Sequence, residues 1–210
     1  MGSPVKKQHF YPGCHELAYL HPKRFTPDAK VVKGLGVDPE EKYCIIRFVS
    51  WQAQHDIGQH GFAEEKKLQF VGEIAKYARP YITSEAKLPA ELEVYRLNVP
   101  VHLAHHVMAF AALYVGEGAT MASESAVLGV PAVYINTLKL GYINMHENYG
   151  LLKQTSDTQQ ALQQSLGWLK DPAAKEKCRA AREKFLADKI DVTSYIVETI
   201  EQTASDKLRR

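Results

Sequence analysis

The stretch GEGATMASESAVLGVPAVYI, Gly116 to Ile135, reads as a strand end, a glycine-rich turn, a helix of small residues, a glycine-proline break and a second strand. Gly116 and Gly118 allow a tight turn and close backbone approach, and Ala119 to Leu128 has the composition of a helix that packs tightly on a sheet. Gly129 and Pro131 stop that helix, and Ala132 to Asn136 resumes as a strand. Strands alternating with helices imply right-handed crossovers, so the segment belongs in a mainly parallel sheet.

The flanks repeat the pattern. Tyr43 to Val49 is a buried-type strand, and Leu68, Val71, Ile74, Ala75 and Ala78 follow at helical spacing on one face. Pro80 to Ser84 reads as a second strand and Glu93 to Val99 as a third, leading to a helix from Val101 to Ala111 and a strand at Leu113 to Val115. The expected fold class is α/β, a Rossmann-like, mainly parallel sheet with helices on both faces. The C-terminal third is helical, with stripes at Leu162, Leu166 and Leu169, at Ala174, Cys178, Ala181 and Phe185, and at Ile196 with Ile200. Asp157, Asp171 and Asp191 sit where helix N-caps or first-turn acids belong. Residues 1–40, broken by Pro12, Gly13, Pro22, Pro27 and Pro39, read as an irregular N-terminal arm or connector with a short helix near Asp28 to Leu35. Residues 41–205 form the expected Rossmann-like domain.

Composition narrows the classes. The 210 residues are 45% hydrophobic and 24% charged, which excludes a disordered or fibrous chain and suffices for one sizeable core. The 26 basic and 24 acidic residues are interleaved, and a net charge of +2 argues against nucleic acid as a partner. The longest apolar run, Val107 to Val115, falls far short of the roughly 20 residues of a membrane span, so no transmembrane segment is expected. The N-terminus lacks a secretory signal, and Met1-Gly2-Ser3 reads as a vector remnant. Cys14, Cys44 and Cys178 form no paired motif and suit free thiols in a reducing compartment, hence a cytoplasmic location. No cofactor is expected.

In an open parallel sheet, ligands bind at the carboxyl ends of the strands. The amides of Gly118, Ala119 and Thr120 open a helix whose positive dipole end attracts phosphate. Ser123 and Glu124 follow about one turn later, where a carboxylate can accept hydrogen bonds from a ribose diol. The competing reading is a helix whose small residues only pack on the sheet. Met121 stands where a dinucleotide fingerprint needs its third glycine, and there is no Walker A sequence.

The full spacing of glycine turn, Ser123-Glu124, Gly129 and Pro131 resembles the nucleotide-sugar site in the C-terminal domain of glycosyltransferase-B folds. The nearest cases are the peptidoglycan N-acetylglucosaminyl transferase and the non-hydrolysing UDP-N-acetylglucosamine 2-epimerases. Leu20 to Asp157 more closely resembles an uncharacterised prokaryotic family, DUF354, through YLHPKRFTPD and RFVSWQAQHDIGQHG. The resemblance implies that Glu124 binds ribose and that Gly118, Ala119 and Thr120 bind diphosphate. The epimerases have Asp-Ser-Gly-Gly where this chain has Glu117-Gly118-Ala119-Thr120, which speaks against epimerase chemistry. The implied function is the donor-binding half, for UDP-N-acetylglucosamine or another UDP-sugar, of a glycosyltransferase or epimerase-like enzyme of polysaccharide metabolism. Such a half is expected to be inactive without an N-terminal Rossmann half, supplied in cis or as a separate subunit.

Arg47 interrupts an apolar strand, so it must be paired or reach the ligand edge. The loop behind it, SWQAQHDIGQHG, is expected to face the same crevice as Gly118, with Ser50 and Gly58 contacting nucleotide. His55 loosely resembles a histidine of the epimerases and is the candidate catalytic acid or base. His55-Asp56 also resembles the doublet of HD-type metal-dependent phosphohydrolases, with His102, His105 and His106 completing a metal site. That alternative needs an all-helical bundle; the leading reading has no metal. Thr137, Asn144, His146 and Glu147 are candidates for sugar contact. A third reading is a non-enzymatic interaction module.

Overall fold

Tyr43–Phe48 (β1) is an apolar run broken by Arg47, and every other position in it is buried, as a strand covered on both faces requires. The computed structural model describes residues 9–49, 62 and 64–208. Beside β1 lie β2 (Arg79–Ser84), β3 (Leu113–Gly116), β4 (Ala132–Ile135) and β5 (Leu152–Thr155), all parallel, in the order β2-β1-β3-β4-β5.

The period of two decides which side chains meet which layer. Cys44, Ile46 and Phe48 with Leu113, Val115, Val133 and Ile135 point to one face, where α3 (Glu64–Ala75) and α7 (Thr158–Lys170) cover them. Tyr43, Ile45, Tyr114, Ala132 and Tyr134 point to the other, under α2 (Ala29–Gly34), α4 (Ala104–Phe110), α5 (Ala119–Leu128) and α6 (Gly141–Asn148). A third cluster joins α1 (Leu17–Leu20), the outer side of α5, α8 (Ala174–Ala187) and α9 (Val192–Leu208) through Leu17, Leu20, Ala126, Val127, Phe185 and Val192. The fold is thus the expected Rossmann-like α/β sheet with helices on both faces.

Asp157 and Asp191 cap α7 and α9 as expected, whereas Asp171 does not cap α8, whose N-cap is Ala173. Asp157 accepts from the Gln160 amide at 2.6 Å, Asp171 from Ala173 at 2.9 Å and Asp191 from Ser194 at 3.3 Å. Cys14, Cys44 and Cys178 are free and buried. Among the described residues no helix is long and apolar enough to cross a membrane.

Several expectations are corrected. Glu93 to Val99 is not a strand: Ala90–Tyr95 forms a 3-10 turn after Pro89, and one parallel bridge between Ile82 and Arg96 is all the pairing there. The apparent alternation fails physically because Val94 is 79% exposed while Leu92 is buried. The helix expected from Val101 is a 3-10 turn to Leu103 and only then α4. On α3, Leu68 and Ala75 face solvent; Phe70 and the stem of Lys67, whose ammonium lies 4.7 Å from the Phe48 ring, complete the buried face instead. Neither α6 nor β5 was expected.

Candidate functional site

From β1 the chain continues to β2 on one side and then crosses to β3 on the other, so the strand order diverges between β1 and β3. That divergence opens a crevice at the carboxyl edge of the sheet. Its volume is about 690 Å³, and Arg47, Glu85, Glu117 and the first turn of α5 line it, with Met121, Leu138, Leu140 and Tyr142 as its apolar wall.

The floor depends on Gly116. A Cβ there would lie 2.6 Å from the Arg47 Cβ and 2.7 Å from the Arg47 carbonyl oxygen, so only glycine lets β3 run this close to β1. Tyr114, fully buried beneath, donates its hydroxyl to the Gly118 carbonyl at 3.0 Å and fixes the turn. Gly118 is the N-cap of α5 in extended geometry with no side-chain cap, and the first amide bonded back to it is that of Ala122. The amides of the first turn therefore carry the positive end of the helix dipole to the crevice, with no side-chain cap upon them among the described residues.

Arg47 is both paired and at the carboxyl edge of the sheet. Its guanidinium lines the crevice and forms an ion pair with Glu85 at the end of β2. Glu117, only 2% exposed, accepts the Val49 amide at 2.9 Å on one carboxylate oxygen and the Phe62 amide at 2.7 Å on the other. It thus ties together the two ends of segment 50–61. Ser50, His55, Asp56, Gly58, His60 and Gly61 themselves lie outside the described residues.

Glu124 stands on α5 away from the crevice lining, 8% exposed, between α1 and α4. Its Oε1 accepts from the Tyr19 hydroxyl and pairs with His105 Nε2, each at 2.9 Å. Ser123 turns inward: it is fully buried, and its hydroxyl lies 2.8 Å from His146 Nε2. His146 is also fully buried, and burial pushes its pKa down to about 4. Neither residue reaches the crevice. Glu147 accepts the Gln154 amide at 2.9 Å, and Asn144 borders a separate groove between α6 and α8. Gln154 in turn donates to the carbonyls of Asn136 and Leu138, which holds the crevice wall after β4 in place.

The HD-type alternative loses its scaffold, because the chain is an all-parallel sheet rather than a helical bundle. His106 accepts the Asp28 amide through Nδ1 at 3.0 Å and His105 faces Glu124, so the two diverge. Among the described residues no group of three metal-ligating side chains converges.

Sequence reasoning missed Glu117 as a structural carboxylate and missed Tyr19 and His105 as partners of Glu124. A glutamate inside a glycine turn was the available signal for the first. The other two are far apart in sequence, and only the packing of α1 against α5 brings Tyr19 to the site.

No protein-family model matches the chain, and no curated protein does. Solved structures match it in fold. The S. aureus MnaA–UDP co-structure aligns at a TM-score of 0.59 with 10% identity over 90% of this chain and 53% of that one. Spinosyn forosaminyltransferase SpnP aligns at 0.53 with 15% identity over 87% and 49%. A UDP-N-acetylglucosamine 2-epimerase from Listeria monocytogenes, described as putative, aligns at 0.52 with 12% identity over 77% and 45%. The chain spans about half the length of these structures. Its fold is that of one Rossmann-like half of a glycosyltransferase-B architecture.

Proposed function

We propose that this chain binds the nucleotide portion of a UDP-sugar, UDP-N-acetylglucosamine foremost, as the donor half of a glycosyltransferase or epimerase-like enzyme of polysaccharide metabolism. The observation that carries the reading is the uncapped amino end of α5 opening onto a crevice of about 690 Å³ at the switch point of the sheet. Diphosphate sits on the amides of Ala119 and Thr120 over Gly118, with Arg47 adding charge. Glu124 takes the ribose. Ser50 and Gly58 add nucleotide contacts and His55 is the acid-base candidate, on the strength of the sequence motif that carries them. The similarity to a structure solved with UDP supports this choice of nucleotide. The sequence motifs support membership of DUF354, and the free buried thiols support a cytoplasmic setting. The acceptor and the remaining chemistry come from a second Rossmann half, in cis or as a subunit, without which the chain is inactive.

Calorimetric titration with UDP and UDP-N-acetylglucosamine tests this. Binding is expected, with a loss of about tenfold or more in the Glu124→Ala variant, the scale of a hydrogen bond to a charged group. Absence of heat at millimolar ligand, or affinity indifferent to Glu124→Ala, overturns the proposal.

A further inference from the structure

We propose that Tyr19 and His105 are positioning residues that reserve one oxygen of Glu124 for the protein and leave the other for both hydroxyls of a ribose cis-diol. The inference rests on the nucleotide-sugar reading of α5.

An ionised carboxylate offers about four acceptor sites, two on each oxygen. Both protein donors, the Tyr19 hydroxyl and His105 Nε2, converge on Oε1 at 2.9 Å. That oxygen is filled. Among the described residues Oε2 has no protein partner, and it is not sealed from solvent. Its two remaining sites match the two donors of a cis-diol, so the diol is held by a single oxygen rather than spread across the carboxylate.

The clamp is rigid. Tyr19 and His105 rings lie 5.7 Å apart, and Phe25 meets His105 edge-on at 6.1 Å. Burial, then the Glu124 charge, raises the Tyr19 phenol above its ordinary value, so it stays a donor at neutral pH. Two charge-assisted bonds hold the glutamate in one rotamer, and its ordering does not have to be repeated when ligand arrives.

The test compares UDP with 2′,3′-dideoxy-UDP by calorimetry and reads the ratio of their affinities. The ratio isolates diol recognition, because general loosening of the fold weakens both ligands alike. Tyr19→Phe and His105→Ala are each expected to cut the ratio by at least about fivefold, and His105→Gln, which keeps a donor, to restore most of it. Arg47→Ala is expected to weaken both ligands and leave the ratio unchanged. Melting curves identify any variant that does not fold, and the conservative Tyr19→Phe and His105→Gln changes then decide the matter. A ratio that is unchanged or larger in Tyr19→Phe and His105→Ala, while Glu124→Ala abolishes it, overturns the clamp and leaves the nucleotide-sugar reading standing. A ratio indifferent to Glu124→Ala, or no UDP binding, removes that reading and the clamp with it.

Discussion

At the scale of single residues, two contacts at the crevice have measurable costs. Gly116→Ala drives a methyl against the Arg47 backbone, which is not a flexible neighbour, and is expected to lower stability by about 1–3 kcal/mol in urea unfolding. Glu117→Gln keeps the shape but turns one acceptor into a donor facing an amide, so faster hydrogen exchange at Val49 or Phe62 is expected, with a loss of about 1–3 kcal/mol. His146 adds a pH dependence. The unfolded imidazole protonates near 6.5, whereas the buried one resists until about 4. Protons therefore favour the unfolded chain between those values. The contribution is complete above about 6.5 and falls as pH drops toward 4, by about 3 kcal/mol. Unfolding at pH 4.5 and 7 should show this loss, and His146→Gln should remove most of the difference. Gly116 was legible as a close backbone approach, but Glu117 and His146 did not stand out for their structural parts, because burial and partner identity are properties of the assembled layers.

At the scale of elements, legibility followed how much of each signal is local. β1, β3 and β4 were readable because strands buried on both faces are continuous apolar runs. β5, with the sequence LKQT, buries Leu152 and Thr155 but exposes Lys153, so as an edge strand it lacks that run. The helix α5 was readable from its ends. Gly129 adopts a left-handed conformation with φ of 80°, and its amide and that of Val130 return to the carbonyls of Ala126 and Ser125. Gly129→Ala is expected to cost about 1–2 kcal/mol, through the positive φ and a 2.7 Å approach to Arg182 Cδ; thermal unfolding measures it. The candidate site was only half legible for the same reason. The glycine turn and Arg47 are local signals, whereas the inward rotation of Ser123 and the pairing of Glu124 depend on α1, α4 and α6.

At the scale of the molecule, the first 40 residues looked the least structured in sequence, yet Leu17, Leu20, Val32 and Val37 are 3% exposed or less. The arm is further tied to α9 by the Arg24–Asp191 ion pair at 3.0 Å. At about 1.5–3 kcal/mol for each buried side chain, their removal rivals the whole stability of an ordinary domain. A chain beginning at Glu41 is expected to lose cooperative unfolding, which circular dichroism melting would register; a retained sharp transition would show that the arm is dispensable. The carboxylate of Glu117 has a different kind of consequence. Because Val49 and Phe62 are fastened to its two oxygens, the chain leaves the sheet and returns to it at one fixed point, whatever residues lie between. Glu117 is thus a staple that sets the separation of Val49, on the crevice lining, from Phe62, in the core beside Phe48 and Phe70, so the floor of the crevice is held in register with the layer beneath it.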